Sequence, residues 1–69
     1  MKNTKYPEVV NQMKLHNQDL RQVADLLGLA NISQVSRRLS GKVAWTLGDV
    51  EILCKYYNMD LYKLFRKEN

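Results

Sequence analysis

The stretch DLRQVADLLGLANISQVSRRLSGK, running from Asp19 to Lys42, decides the fold. Asp19 stands where its short carboxylate can accept from a free first-turn amide, and Gln22 follows three residues later, at capping-box spacing. Val23, Ala24 and Leu27 then recur at helical steps and face one side. Gly28 comes just after the last of them, where a left-handed residue ends a helix without a Cβ penalty. These signals predict a helix over 20–27. Beyond the turn Gly28-Leu29-Ala30, Asn31 caps a further helix whose Ile32, Val35 and Leu39 share a face, and Gly41 closes it. The expectation is two short capped helices joined by a tight turn, over about residues 20–40.

Working outward, Pro7 suits a first helical turn, where a missing N–H costs nothing. Val9, Val10 and Met13 give the helix from Pro7 to His16 its apolar stripe. Residues 1–5 precede it as a flexible arm. Downstream, Thr46 and Asp49 have capping-box spacing, and Trp45 with Val50 makes a hydrophobic-staple pair. Leu47, Val50, Leu53, Cys54 and Tyr57 form the expected buried stripe of a fourth helix. Asp60 caps a fifth, with Leu61, Leu64 and Phe65 on its apolar side. Val43-Ala44-Trp45 is too short for a strand, and the chain has no repeat or interior linker. The expected fold class is all-α, a compact five-helix domain spanning 1–69.

Sixty-nine residues, 45% of them hydrophobic, make one ordered domain with a small core. Cys54 is the single cysteine, so there is no disulfide framework. No run approaches the roughly 18 apolar residues of a membrane span, and no apolar segment follows the polar N-terminus as in a signal peptide. A cytoplasmic location follows as an expectation. His16 and Cys54 have no further ligands at metal spacing, and no nucleophile–base pair or glycine-rich phosphate loop is present. We therefore expect no metal, no cofactor, no catalytic residues and no small-molecule substrate; the chain does not read as an enzyme.

The net charge is +4, and its distribution is more telling than its size. No acid occurs between Asp25 and Asp49, whereas Arg37, Arg38 and Lys42 fall inside that gap. On a helical wheel the third helix turns Ser33 and Arg37 away from its aliphatic face, flanked by Gln34, Ser36 and Ser40. Serine is a poorer helix former than Glu or Lys, so a serine-rich, acid-free outer face calls for a reason beyond helix stability. The same composition also suits a plain solvated face. A DNA duplex supplies the reason: a helix fits the major groove, and small polar side chains let it approach the base edges. Ser33, Gln34 and Arg37 are the candidate base readers, Gln34 through its amide to adenine and Arg37 through its fork to guanine. Arg38 and Lys42, with Ser36 and Arg21, are the candidate phosphate contacts. The helix N-termini behind Asp19 and Thr46 offer free amides to phosphates as well.

The segment from Asp19 to Gly28, followed by Val35-Ser36-Arg37-Arg38-Leu39-Ser40-Gly41-Lys42, resembles the helix-turn-helix core of the lambda-repressor-like family. Ala24, Gly28, Val35 and the Leu39-x-Gly41-Lys42 ending occupy that family's usual places. Trp45-Thr46-Leu47 and the stretch from Met59 to Phe65 are similar to its fourth and fifth helices, so the resemblance spans about residues 6–66. The short length is similar to phage Cro-like regulators. The resemblance implies a five-helix fold whose third helix enters the major groove while the second crosses the backbone. It also implies a homodimer on a palindromic DNA operator, regulating transcription as a repressor or an activator in a bacterial or phage-infected cell.

The chain departs from that pattern in three places. The turn into the third helix is one residue longer. Leu20 stands where many relatives carry a phosphate-touching glutamine, and Ile32 where many carry a polar base reader; Ile32 suits either the core or contact with a thymine methyl. These two apolar positions motivate a different role, an antirepressor or modulator that docks on a partner repressor protein through a Leu20–Ile32 patch. Tyr56 and Tyr62 are further candidates for a protein interface, and stacking of the C-terminal aromatics on single-stranded bases is the less favoured use of them.

Overall fold

A computed structural model describes residues 4–68, and all its regular elements are helices. They are α1 (Pro7–Leu15), α2 (Leu20–Leu27), α3 (Ile32–Ser40), α4 (Leu47–Tyr57) and the four-residue α5 (Leu61–Leu64). Residues 1–3 of the expected arm lie outside the described residues. Thr4 and Lys5 are tied down: Lys5 N–H donates to the Leu39 carbonyl at 2.7 Å, and the Thr4 hydroxyl donates to the same oxygen at 3.4 Å. That carbonyl belongs to the last turn of α3, where no helical amide is left to satisfy it.

The boundaries follow from local chemistry. Asp19 and Gln22 form both halves of a capping box at 2.9 Å each, and Thr46 and Asp49 form another at 3.1 Å each. Asn31 caps α3 through the Gln34 amide, and Asp60 caps α5 through the Tyr62 amide. The C-termini of α1 to α4 share one solution. A left-handed residue (Asn17, Gly28, Gly41 or Asn58) is followed by an amide that donates five residues back, to Met13, Ala24, Arg37 and Cys54 respectively. α1 stops one residue earlier than expected, with His16 as its C-cap.

α2 packs on α3 and α4, and α5 closes the domain against α1 and α4. The core gathers Val9, Val10 and Met13 of α1, Val23, Ala24 and Leu27 of α2, Val35 and Leu39 of α3, Leu53 and Tyr57 of α4, and Leu64 of α5. Tyr6, Trp45 and Phe65 stack edge-to-face beside it, with ring centroids 5.2–6.2 Å apart. The Trp45 indole N–H is buried in that cluster without an acceptor among the described residues.

Three expectations about buried faces are corrected. Leu47 is 75% exposed, because the buried arc of α4 is centred on Asp49, Leu53 and Tyr57. Leu47 lies two residues before Asp49, about 200° round the wheel. Ile32 is 41% exposed rather than core, because the inward arc of α3 is filled by Val35, Arg38 and Leu39 and leaves Ile32 at its rim. Leu61 is 44% exposed, so Leu64 alone of α5 is fully inside.

Candidate functional site

The outward side of α3 carries Ser33, Ser36 and Arg37, all exposed, with Ser40 half-exposed beside them. Val35 and Leu39, both 1% exposed or less, anchor the opposite side. The face therefore arises from simple periodicity: two aliphatic positions set the roll of the helix, and the serines and Arg37 fall where water or a ligand must meet them.

Hydrogen bonds within the face limit what each group offers. The Ser33 hydroxyl donates to Asn31 Oδ1 at 2.6 Å, so its proton is engaged in the cap and its lone pairs face outward. The Ser40 hydroxyl donates to the Arg37 carbonyl at 3.0 Å. The Arg37 guanidinium makes no ion pair among the described residues, which leaves its donor fork free. Lys42 follows the Gly41 cap, its amide held by the Arg37 carbonyl at 2.9 Å, so its side chain leaves the C-terminal end of α3 with a fixed origin. Arg21 is exposed in the first turn of α2.

Two candidate residues do not stand where the sequence placed them. Arg38, expected among the phosphate contacts, is 7% exposed; its Nε donates to Asp49 Oδ2 at 2.9 Å. Asp49 Oδ2 also accepts the Thr46 amide at 3.1 Å, so one carboxylate closes the α4 capping box and binds α3. The physical reason is that a guanidinium at the edge of an apolar face finds a buried carboxylate on the next helix, and burial is tolerable only with that pairing. Gln34, expected among the base readers, is half-buried on the same side. Arg38 Nη1 donates to its backbone carbonyl at 3.2 Å and lies 3.5 Å from its side-chain Oε1. Arginine has only donors, so the side-chain oxygen of Gln34 is the atom that faces it.

The apolar departures separate as well. Leu20 is half-buried and packs against the core, whereas Ile32 projects from the first turn of α3. Tyr56 is 48% and Tyr62 82% exposed. Tyr56 and Tyr57 flank His16, with centroids at 5.8 and 5.0 Å, and the Tyr57 hydroxyl donates to Gln18 at 2.6 Å. Burial, with Tyr56 close by, pushes the Tyr57 phenol from 10 up to about 12. Burial also raises the Cys54 thiol, with Asp60 adding to the effect.

Among the described residues no group of three His, Cys, Asp or Glu side chains is placed to hold a metal. No helix there is long and apolar enough to cross a membrane. The residue that sequence reasoning missed near this face is Lys5, whose side chain lies over Gly41. Its signal is not local, because the contact joins positions 36 residues apart.

Residues 8–69 match the family described as BetR domain, a small helical regulatory domain. No curated protein and no solved structure gives a significant match to the chain.

Proposed function

The chain belongs to the BetR domain family, and on that premise we propose that it is a sequence-specific, double-stranded DNA-binding transcriptional regulator of the Cro-like repressor type. One observation carries the proposal: α3 is anchored by Val35 and Leu39 and presents Ser33, Ser36 and an unpaired Arg37 outward, with no acid on the helix. In this role α3 lies in the major groove. Arg37 offers its two-pronged donor edge to guanine, and Ser33 offers an acceptor, which suits the exocyclic amine of cytosine or adenine. Lys42, Ser36 and Arg21 hold phosphates. Arg38 and Gln34 leave the contact set and become the internal brace that holds α3 against α4. The family membership supports a regulatory role, and the resemblance to lambda-repressor-like domains supports a pair of copies on a two-fold symmetric operator. The protein acts by binding, without a catalytic step.

The alternative, docking on a partner regulator, rested on Leu20 and Ile32 together. Leu20 packs on the core, so the patch reduces to Ile32, which fits a thymine methyl equally well.

The test is a fluorescence-anisotropy titration of duplex DNA from the region upstream of the gene, over a series of salt concentrations. Affinity is expected to fall by about tenfold or more as salt rises several-fold, since each neutralised phosphate steepens the dependence. Binding that is absent at low salt would remove the proposal.

A further inference from the structure

Beside the outward face of α3 lies a polar recess of about 500 Å3, lined by Thr4, Lys5, Ser36, Arg37, Ser40, Lys42 and Glu68. Its residues come from three places in the chain: the segment before α1, the C-terminal half of α3 with its cap, and the tail after α5. The backbone of Lys5 joins them. Its N–H donates to the Leu39 carbonyl at 2.7 Å, and its carbonyl accepts from the Glu68 N–H, also at 2.7 Å. Held at both ends, Lys5 lays its aliphatic stem across Gly41; a Cβ at that position would stand 3.2 Å from Lys5 Cγ.

We propose that this recess seats one phosphodiester group of a DNA duplex, with Lys5 supplying a cation from outside α2 and α3 and Glu68 holding the affinity down. The proposal rests on the DNA-binding role of the preceding subsection. Three cations from separate backbone positions, Lys5, Arg37 and Lys42, line one small space with the Ser36 hydroxyl as a neutral donor, the Thr4 and Ser40 hydroxyl protons being taken by the Leu39 and Arg37 carbonyls. That combination of charge and a neutral donor suits an oxyanion rather than an apolar or cationic ligand. Ser36 and Arg37 belong both to the recess and to the outward face of α3, so an anion seated there flanks whatever α3 touches. Phosphates flank the major groove in the same way, and contacts to them fix the register of a reading helix. Among the described residues Glu68 is the one acid lining the recess, and it opposes the three cations.

The experiment measures binding of a fluorescent duplex over a salt series for the wild type, Lys5→Gln, Glu68→Gln and Lys14→Gln. Lys14 is an exposed lysine of α1 that does not line the recess. Lys5→Gln keeps both backbone bonds, so its thermal melt is expected to overlay that of the wild type. It should reduce the log–log salt slope by about 0.9, the value of one phosphate contact, and leave the preferred sequence unchanged. Glu68→Gln should tighten binding to all duplexes, and Lys14→Gln should leave the slope unaltered. Duplex binding with a wild-type slope in Lys5→Gln overturns the phosphate seat while leaving DNA reading by α3 intact; a wild type that binds no duplex overturns both. Inorganic phosphate, titrated alone, is expected to shift the Lys5, Ser40 and Lys42 amide resonances only weakly. Tight saturation by it would make a free anion the ligand and contradict the assignment to duplex.

Discussion

Two residues carry more of the architecture than their types suggest. Arg38 and Asp49 form a buried ion pair across the α3–α4 contact, and the same Asp49 oxygen closes the α4 cap. Removing one partner leaves the other charged and desolvated, which costs about 3–5 kcal/mol. A domain this small has a total stability of order 5 kcal/mol, so Arg38→Ala is expected to be close to unfolded at room temperature by urea denaturation. The paired change Arg38→Met with Asp49→Leu should recover part of the loss, the remainder being the α4 capping box that Asp49 also closes. A single Arg38→Ala that costs under about 1 kcal/mol would contradict the pairing as the brace of α3. Tyr57 gives a prediction with a pH signature. In the folded chain its phenol ionises only near pH 12, against 10 when unfolded, so both states are neutral and its contribution complete below pH 10. Between pH 10 and 12 the unfolded chain releases the proton first, and that contribution is lost. Tyr57→Phe should flatten the alkaline decline seen in denaturation midpoints from pH 9 to 12, while costing about 1 kcal/mol at neutral pH from the lost Gln18 hydrogen bond. An identical alkaline decline in the variant would show that another group is responsible.

The helices separate what was legible in the sequence from what was not. Caps are local events, so Asp19 with Gln22, Asn31, Thr46 with Asp49, and Asp60 could be read directly, and α2 to α5 each begin where they indicate. The two glycine stops were legible for the same reason. The roll of each helix was less so. Periodicity gave Val35 and Leu39, but α3 rolls so that Arg38 goes inside to pair with Asp49 of α4, and Ile32 is left out. Leu47 failed in the same manner, since no local signal tells which side of α4 meets α2 and α5. Lys5 at Gly41, and Glu68 at Lys5, depend on closing the two ends of the chain together. The glycine stops yield a paired prediction. Gly28 has φ +70° with nothing within 4 Å of a new Cβ, so Gly28→Ala pays only the left-handed strain, about 1–2 kcal/mol. Gly41 has φ +85° and meets Lys5 as well, so Gly41→Ala should be the more destabilising of the two by thermal melting, and should also weaken duplex binding by displacing Lys5. Equal melting losses for both would mean that Lys5 does not lie over the α3 cap.

For the whole molecule, size sets what the site can achieve. α3 is nine residues long, about 13.5 Å at 1.5 Å per residue, which in the proposed role spans about four base pairs of a groove. So short a reach specifies little by itself, which is the physical argument for two copies on a symmetric site, each reading one half. The central claim, that α3 reads sequence through its outward face, is tested most directly by selecting bound duplexes from a random pool with the wild type and with Arg37→Ala. The wild type is expected to enrich a two-fold symmetric site with a guanine opposite Arg37 in each half. Arg37→Ala should retain the rest of the site, lose the preference at that base pair, and bind the wild-type site about 1–3 kcal/mol more weakly. No enriched sequence, or one that Arg37→Ala leaves unchanged, would contradict the account.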